Sequence, residues 1–187
     1  MGGRVGGVVV VGGSPILCIG AGVLLDADKQ VLLVLWSDSK VDEMVKLFSR
    51  TGYTKFAGYL AGGMKSWNNA GLPIETVPQM SVHDVKRAGK KVQLFDVRSP
   101  DEWKGGHIPG AYHLFLPGIR EKAAEFDKSK PTAVYCASGY RASLASSMLK
   151  QEGFTDVRNI PGSWQAWKKA GFPMAGKGKK VEDASWV

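Results

Sequence analysis

Cys136 stands in Tyr135-Cys136-Ala137-Ser138-Gly139-Tyr140-Arg141, where a nucleophile, a small-residue loop and a cation fall together. The apolar run Pro131 to Tyr135 reads as a buried strand, and the pattern from Ala142 to Gln151 reads as a helix. The thiol therefore lies at a strand-to-helix turn, where amides of the helix start point at it and favour its negative form. Gly139 lets the loop curl until successive amides face one point, an anion-holding nest. Arg141 adds a fixed cation. The competing fate of a lone cysteine is a small core residue, and the loop composition argues against it here. Cys18, in Pro15-Ile16-Leu17-Cys18-Ile19, has no such setting and reads as core. Three histidines, His83, His107 and His113, come without Cys-x-x-Cys or His-Glu-x-x-His spacing. No metal and no cofactor is expected.

The elements that must hold this loop can be read in order. Ser81-Val82-His83-Asp84 is a capping-box-like helix start, and Lys91 to Phe95 reads as a strand. Ser99-Pro100-Asp101-Glu102 opens a second helix, with Pro100 at its first position and acids near the positive dipole end. After the helix ending at Gly153, Val157 to Ile160 reads as a last strand and Trp164 to Ala170 as a last helix, stopped by Gly171 and Pro173. Strands alternating with helices predict an α/β fold, a parallel sheet covered by helices on both faces. Sites in such sheets lie beyond the carboxyl ends of the strands.

A repeat of about 100 residues divides the chain. Gly62-Gly63-Met64-Lys65-Ser66-Trp67 recurs as Gly162-Ser163-Trp164-Gln165-Ala166-Trp167, with Pro73 falling over Pro173. Leu47 to Thr54 lies over Met148 to Thr155, and Gly3 to Gly7 over Gly106 to Gly110. The expected organisation is an incomplete, degenerate unit over 1–77, a complete unit over 78–174 and a flexible tail over 175–187.

Composition bounds the setting. A hydrophobic share of 44% with 22% charged residues belongs to a globular chain, not a disordered one. Two cysteines cannot build a disulfide framework, so a reducing, cytoplasmic compartment is expected. The net charge of +8 comes from short groups, Lys86-Arg87, Lys90-Lys91, Lys168-Lys169 and Lys177 to Lys180, without interleaved aromatics for base stacking. They read as solvated faces that steer small anions, and nucleic acid is not an expected partner. Val5 to Leu25 is uncharged and long enough to span a membrane. Its six glycines, the Ser14-Pro15 break and the run Val8 to Val11 instead read as short buried strands, so no membrane association is expected.

Taken jointly, four motifs make the second unit resemble a rhodanese-family sulfurtransferase domain. They are Phe95-Asp96-Val97-Arg98 with Glu102; Gly106-His107-Ile108-Pro109-Gly110-Ala111; the loop 136–141; and Pro161-Gly162-Ser163-Trp164 with Trp167. The resemblance implies a rhodanese-like fold and a Cys136 persulfide that accepts sulfane sulfur from a donor and passes it to a nucleophile such as cyanide, sulfite or a thiol. Carried over, Cys136 is the nucleophile, and the amides of Ala137, Ser138, Gly139, Tyr140 and Arg141 cradle the terminal sulfur. Arg141 would hold an anionic donor or acceptor. Asp96 and Arg98 would form a structural ion pair, and His107 would shape a turn. Neutral Ala137 and Ser138 stand where thiosulfate-using members carry extra cations, so glutathione persulfide is as fitting a donor as thiosulfate. Glutathione or thioredoxin would serve as thiol acceptor. Cysteine-based phosphatases place five residues between Cys and Arg, whereas four stand here, a cradle sized for one sulfur.

The first unit aligns Val31 to Leu35 with the strand before Cys136 and brings Trp36-Ser37-Asp38-Ser39-Lys40 to the loop position, without a cysteine. No histidine lies in residues 1–80 to activate Ser37, so this half is expected to be inactive. The pairing of such a unit with an active one, with Gly58 to Gly63 in the first, resembles the tail of bacterial fusions whose upstream part is a metallo-β-lactamase-fold persulfide dioxygenase. The resemblance implies sulfide and persulfide detoxification, with such a domain as a possible upstream neighbour. The alternative is a non-catalytic rhodanese-like sulfur carrier, redox sensor or interaction module.

Overall fold

The computed structural model describes residues 28–74 and 76–176. The readings placed on Cys18, on Val5 to Leu25, on Gly3 to Gly7 and on the tail from 177 lie outside the described residues. The chain divides between residues 75 and 76 into two compact units. No helix among the described residues is long and apolar enough to cross a membrane.

In the first unit β1 (Val31–Leu33) pairs in parallel with β2 (Phe56–Tyr59), and α1 (Val41–Arg50) makes the crossover. α1 buries Met44 and Phe48, one helical turn apart, against Val31, Leu33, Leu35 and Tyr53. α2 (Gly63–Asn69) follows, and the Trp67 indole donates to the Pro73 carbonyl at 3.0 Å. The strand ends at Leu33 rather than Leu35.

The second unit opens with α3 (Val82–Ala88), whose Ser81 hydroxyl accepts the Asp84 amide as an N-cap. Gly89 to Lys91 then form a 3₁₀ turn, which delays β3 to Gln93–Asp96. α4 (Pro100–Lys104) carries a complete capping box between Ser99 and Glu102. β4 (Tyr112–His113), the short helix α5 (Ile119–Lys122) and its flanking 3₁₀ turns have no periodic signature in the sequence. β5 (Thr132–Tyr135), α6 (Tyr140–Gln151), β6 (Val157–Asn159) and α7 (Ser163–Lys169) complete the unit.

These strands form one parallel sheet in the order β4-β3-β5-β6. Every residue of β3 and β5 is buried, as central parallel strands covered on both faces require. Leu94, Ala133 and Tyr135 face a core with Val85, Ile108, Ile160, Trp164 and Trp167. Phe95, next to Leu94 and so on the opposite face, meets Phe126 at 4.7 Å and Phe154 at 6.2 Å in edge-to-face contacts. β5 thus delivers the chain at Tyr135 to the carboxyl edge of a sheet held from both sides, and Cys136 is the next residue.

Candidate active site

Cys136 and its neighbours are fixed through the backbone on both sides. The Cys136 amide donates to the Ser163 hydroxyl at 3.1 Å, and that hydroxyl donates to the Ile160 carbonyl at 2.8 Å. The Cys136 and Ala137 carbonyls accept the Trp164 and Gln165 amides at 2.9 and 3.0 Å. The start of α7 therefore clamps the nucleophile's peptide, leaving little freedom to the Cα–Cβ bond. Ser163 occupies the left-handed region at φ 48°, and it is fully buried. A serine held there costs roughly 1 kcal/mol or more, which its two hydrogen bonds offset.

Gly139 makes the turn. With φ at 117°, it caps α6 and points its amide at the Cys136 sulfur, 3.1 Å away. A side chain at this φ would be strained whatever space surrounded it. The helix starts at Tyr140, two residues before the sequence pattern, because the glycine tightens the loop. Tyr140 and Arg141 consequently belong to the first turn of α6, while Ser138 is exposed at the mouth and Ala137 is half-buried. Cys136 itself is only 1% exposed.

Arg141 meets Glu102 in a two-point pair, Nη1 to Oε2 at 2.6 Å and Nη2 to Oε1 at 2.8 Å. The hydrogen bond from Arg141, with the Ser99 amide assisting, holds the Glu102 carboxyl down at about 2 against the opposing pull of burial. Glu102 in turn raises Arg141, and the Cys136 sulfur is close enough to act on the same guanidinium. Both partners are charged throughout the physiological range.

Asp96 and Arg98 lie beside this loop, since Asp96 pairs with Tyr135 across the sheet. The Arg98 guanidinium binds the Asp96 carboxylate at 2.5 to 3.0 Å, and its Nη2 also reaches the Gly106 carbonyl at 2.8 Å. The guanidinium lies 4.8 Å from the Trp164 ring and 5.6 Å from that of Tyr135. Burial works against the charge of Arg98, yet the hydrogen bond and charge of Asp96 keep it raised. Burial pushes the Tyr135 phenol well up, and its oxygen accepts the Ile108 amide. The network ties Gly106-His107-Ile108 to the strand ends.

His107 exchanges backbone hydrogen bonds with Ala175, stacks on Trp103 at 3.5 Å, and sets Nδ1 3.1 Å from the Trp103 carbonyl. Burial lowers its pKa and so favours the neutral ring. Two participants went without a role in the sequence reading, Glu102 and Ser163. Ser99 to Glu102 was legible as a helix start with acids at its positive end, but the bond from Glu102 to Arg141 spans 39 residues. The mismatch of Gly63 against Ser163 in the repeat was the available sign for the other.

Residues 81–170 match the family profile described as Rhodanese-like domain. The uncharacterized protein YqhL of Bacillus subtilis is 38% identical over 82 residues, which cover 43% of this chain and 65% of that one. YrkF of the same organism, named as a candidate sulfur carrier protein, is 28% identical over 109 residues, 57% of each chain. The chain thus spans less than two thirds of the length of these curated relatives. Among solved structures, the rhodanese-like domain of the Anabaena Alr3790 protein matches with a TM-score of 0.52 at 28% identity, covering 58% of this chain and 88% of that one. The second unit therefore has the rhodanese-like α/β fold that its sequence implies.

Proposed function

We propose that the rhodanese-like domain is a sulfurtransferase that carries sulfane sulfur on Cys136. The observation that carries this reading is the Gly139 amide aimed at the sulfur from the start of α6, in a peptide clamped on both sides. In the first half-reaction the Cys136 thiolate attacks the outer sulfur of a donor. The donor's S–S bond breaks, and its remainder departs with the electron pair as sulfite or a thiolate. Cys136 is left as a persulfide, and the loop amides are proposed to hold its terminal charge, a role supported by the Gly139 amide directed at Sγ. A nucleophile, cyanide, sulfite or the thiolate of glutathione or thioredoxin, then attacks the terminal sulfur and returns Cys136 as thiolate. No net electron is gained or lost by the protein.

A cysteine so enclosed suits a cargo of one atom. The likeness to YrkF supports a second reading, in which Cys136 loads sulfur and hands it to a partner without turnover on small acceptors. A reducing compartment, which both readings require, matches the sparse use of cysteine. The first unit is a degenerate, inactive rhodanese-like unit on this proposal, and the pairing supports descent from a persulfide-detoxifying fusion with a metallo-β-lactamase-fold neighbour.

Intact mass of the reduced protein tests both readings after exposure to glutathione persulfide or thiosulfate and then to cyanide or sulfite. One added sulfur, absent in Cys136→Ser and removed by acceptor over many cycles, is the expected result. Stoichiometric loading without turnover selects the carrier, and no added sulfur with either donor defeats both.

A further inference from the structure

Arg141 is the one cation that the loop 136–141 contributes to its own cradle, and both terminal nitrogens of its guanidinium bind Glu102. Glu102 is not free to swing away. Its Oε2 accepts the Ser99 amide at 3.0 Å while its own amide donates to the Ser99 hydroxyl at 3.3 Å, so the carboxylate is anchored by the first turn of α4. The pair is about two-thirds buried, with side-chain exposures of 29% for Arg141 and 35% for Glu102, and is only partly screened by solvent. At the neighbouring strand end Arg98 and Asp96 cancel in a second pair that is almost fully buried. Ala137, Ser138, Gly139 and Tyr140 add no charge.

We infer that Glu102 is a specificity-determining residue: by neutralising Arg141 it leaves the Cys136 cradle without net positive charge and selects organic persulfides, whose reacting end carries one negative charge, over dianionic thiosulfate. The inference rests on the sulfurtransferase reading and names its donor class. The energy of a donor in the field of Glu102 scales with the donor's charge. Removing the carboxylate's charge therefore favours a dianion twice as much, on a logarithmic scale, as a monoanion bound at the same place. Sulfur transfer from the organic persulfide follows the same balanced step: Cys136 thiolate forms the new S–S bond, the donor S–S bond breaks, and the thiolate leaves.

The experiment uses Glu102→Gln, which keeps the capping hydrogen bonds, and compares thiosulfate with 2-mercaptoethanol persulfide, whose body is uncharged. The expected result is a KM for thiosulfate lowered roughly tenfold and a persulfide KM lowered about threefold, with little change in either kcat. The gain for thiosulfate shrinks as ionic strength rises. Equal changes for the two donors, or a loss of kcat for both, would make Glu102 a structural residue and overturn the inference. If the wild-type protein turns over neither donor, the sulfurtransferase reading fails on its own. The charge argument is then decided by calorimetric titration of both proteins with sulfate: tighter binding to the variant upholds it, and equal binding overturns it.

Discussion

The last four elements of the second unit repeat the strand, helix, strand and helix order of the first, yet only in the second unit does the leading strand of that series end in a cradle. β1, α1, β2 and α2 follow one another as β5, α6, β6 and α7 do, and each last helix closes with an indole donating to a proline carbonyl, Trp67 to Pro73 and Trp167 to Pro173. They differ at the turn. After β5 the chain reverses at a left-handed Gly139 and buries Cys136, whereas after β1 residues Asp38 to Lys40 form a 3₁₀ turn and Trp36 is 57% exposed. In the first unit the Asp38 carboxylate takes the Gly62 amide at 2.9 Å, so an internal anion occupies an amide at the entry to α2. At the corresponding helix start in the second unit, the amides of Trp164 and Gln165 bind the nucleophile's own carbonyls. Gly63 is also more constrained than its counterpart, because a Cβ there would lie 2.0 Å from the Leu35 carbonyl oxygen. Ser163 has room for a side chain and uses it to hold Cys136. A shared scaffold thus supplies the turn, and a few residues decide whether the turn can do chemistry.

The largest expected difference is in the core. Trp167 is fully buried, so Trp167→Ala is expected to destabilise the second unit by about 3–5 kcal/mol. The half-buried Trp67 warrants about 1–2 kcal/mol for Trp67→Ala. Hydrogen exchange at β5 and β1 amides reads each unit separately, and equal losses would show that the two indoles do the same job.

Ser163 sharpens the comparison at the turn. Ser163→Ala removes the acceptor of the Cys136 amide but keeps a Cβ at positive φ, and is expected to cost about 1–3 kcal/mol. Ser163→Gly imitates Gly63 and is expected to recover about 1 kcal/mol of that loss by relieving the backbone. A glycine variant no more stable than the alanine variant in urea titration would remove strain from the account.

The smallest effect belongs to Glu102, which has no counterpart in the first unit among the described residues. Its folded pKa, about 2, lies below the ordinary 4.5. Folding is therefore favoured above the unfolded value, and that contribution fades as pH falls from about 4.5 toward about 2. Glu102→Gln should flatten this part of the pH–stability curve, and an unchanged slope would mean that the pair with Arg141 is not maintained in solution.

Much of the fold was legible because local chemistry and global topology agree in it. Ser99-Pro100-Asp101-Glu102 starts a helix with its own cap, and the apolar run before Cys136 is the fully buried β5. Boundaries slipped where a glycine tightened the chain, at Gly89 before β3 and at Gly139 before α6. β4 and the helical turns from Leu116 to Glu125 were not legible. They are too short for a period to show, and packing around Phe95 and Leu114 rather than propensity holds them in place.

The sequence by itself determined the alternating α/β plan and the meeting of cysteine, glycine and arginine in one turn, because each depends on neighbours a few residues apart. Tertiary structure alone decided what that turn contains electrically and how firmly it is held. Glu102 reaches Arg141 from 39 positions away, and Ser163 reaches Cys136 from 27. Contacts at such separations leave no periodicity to read. They exist because a parallel sheet gathers the carboxyl ends of distant strands, and the helix starts that follow them, at one edge.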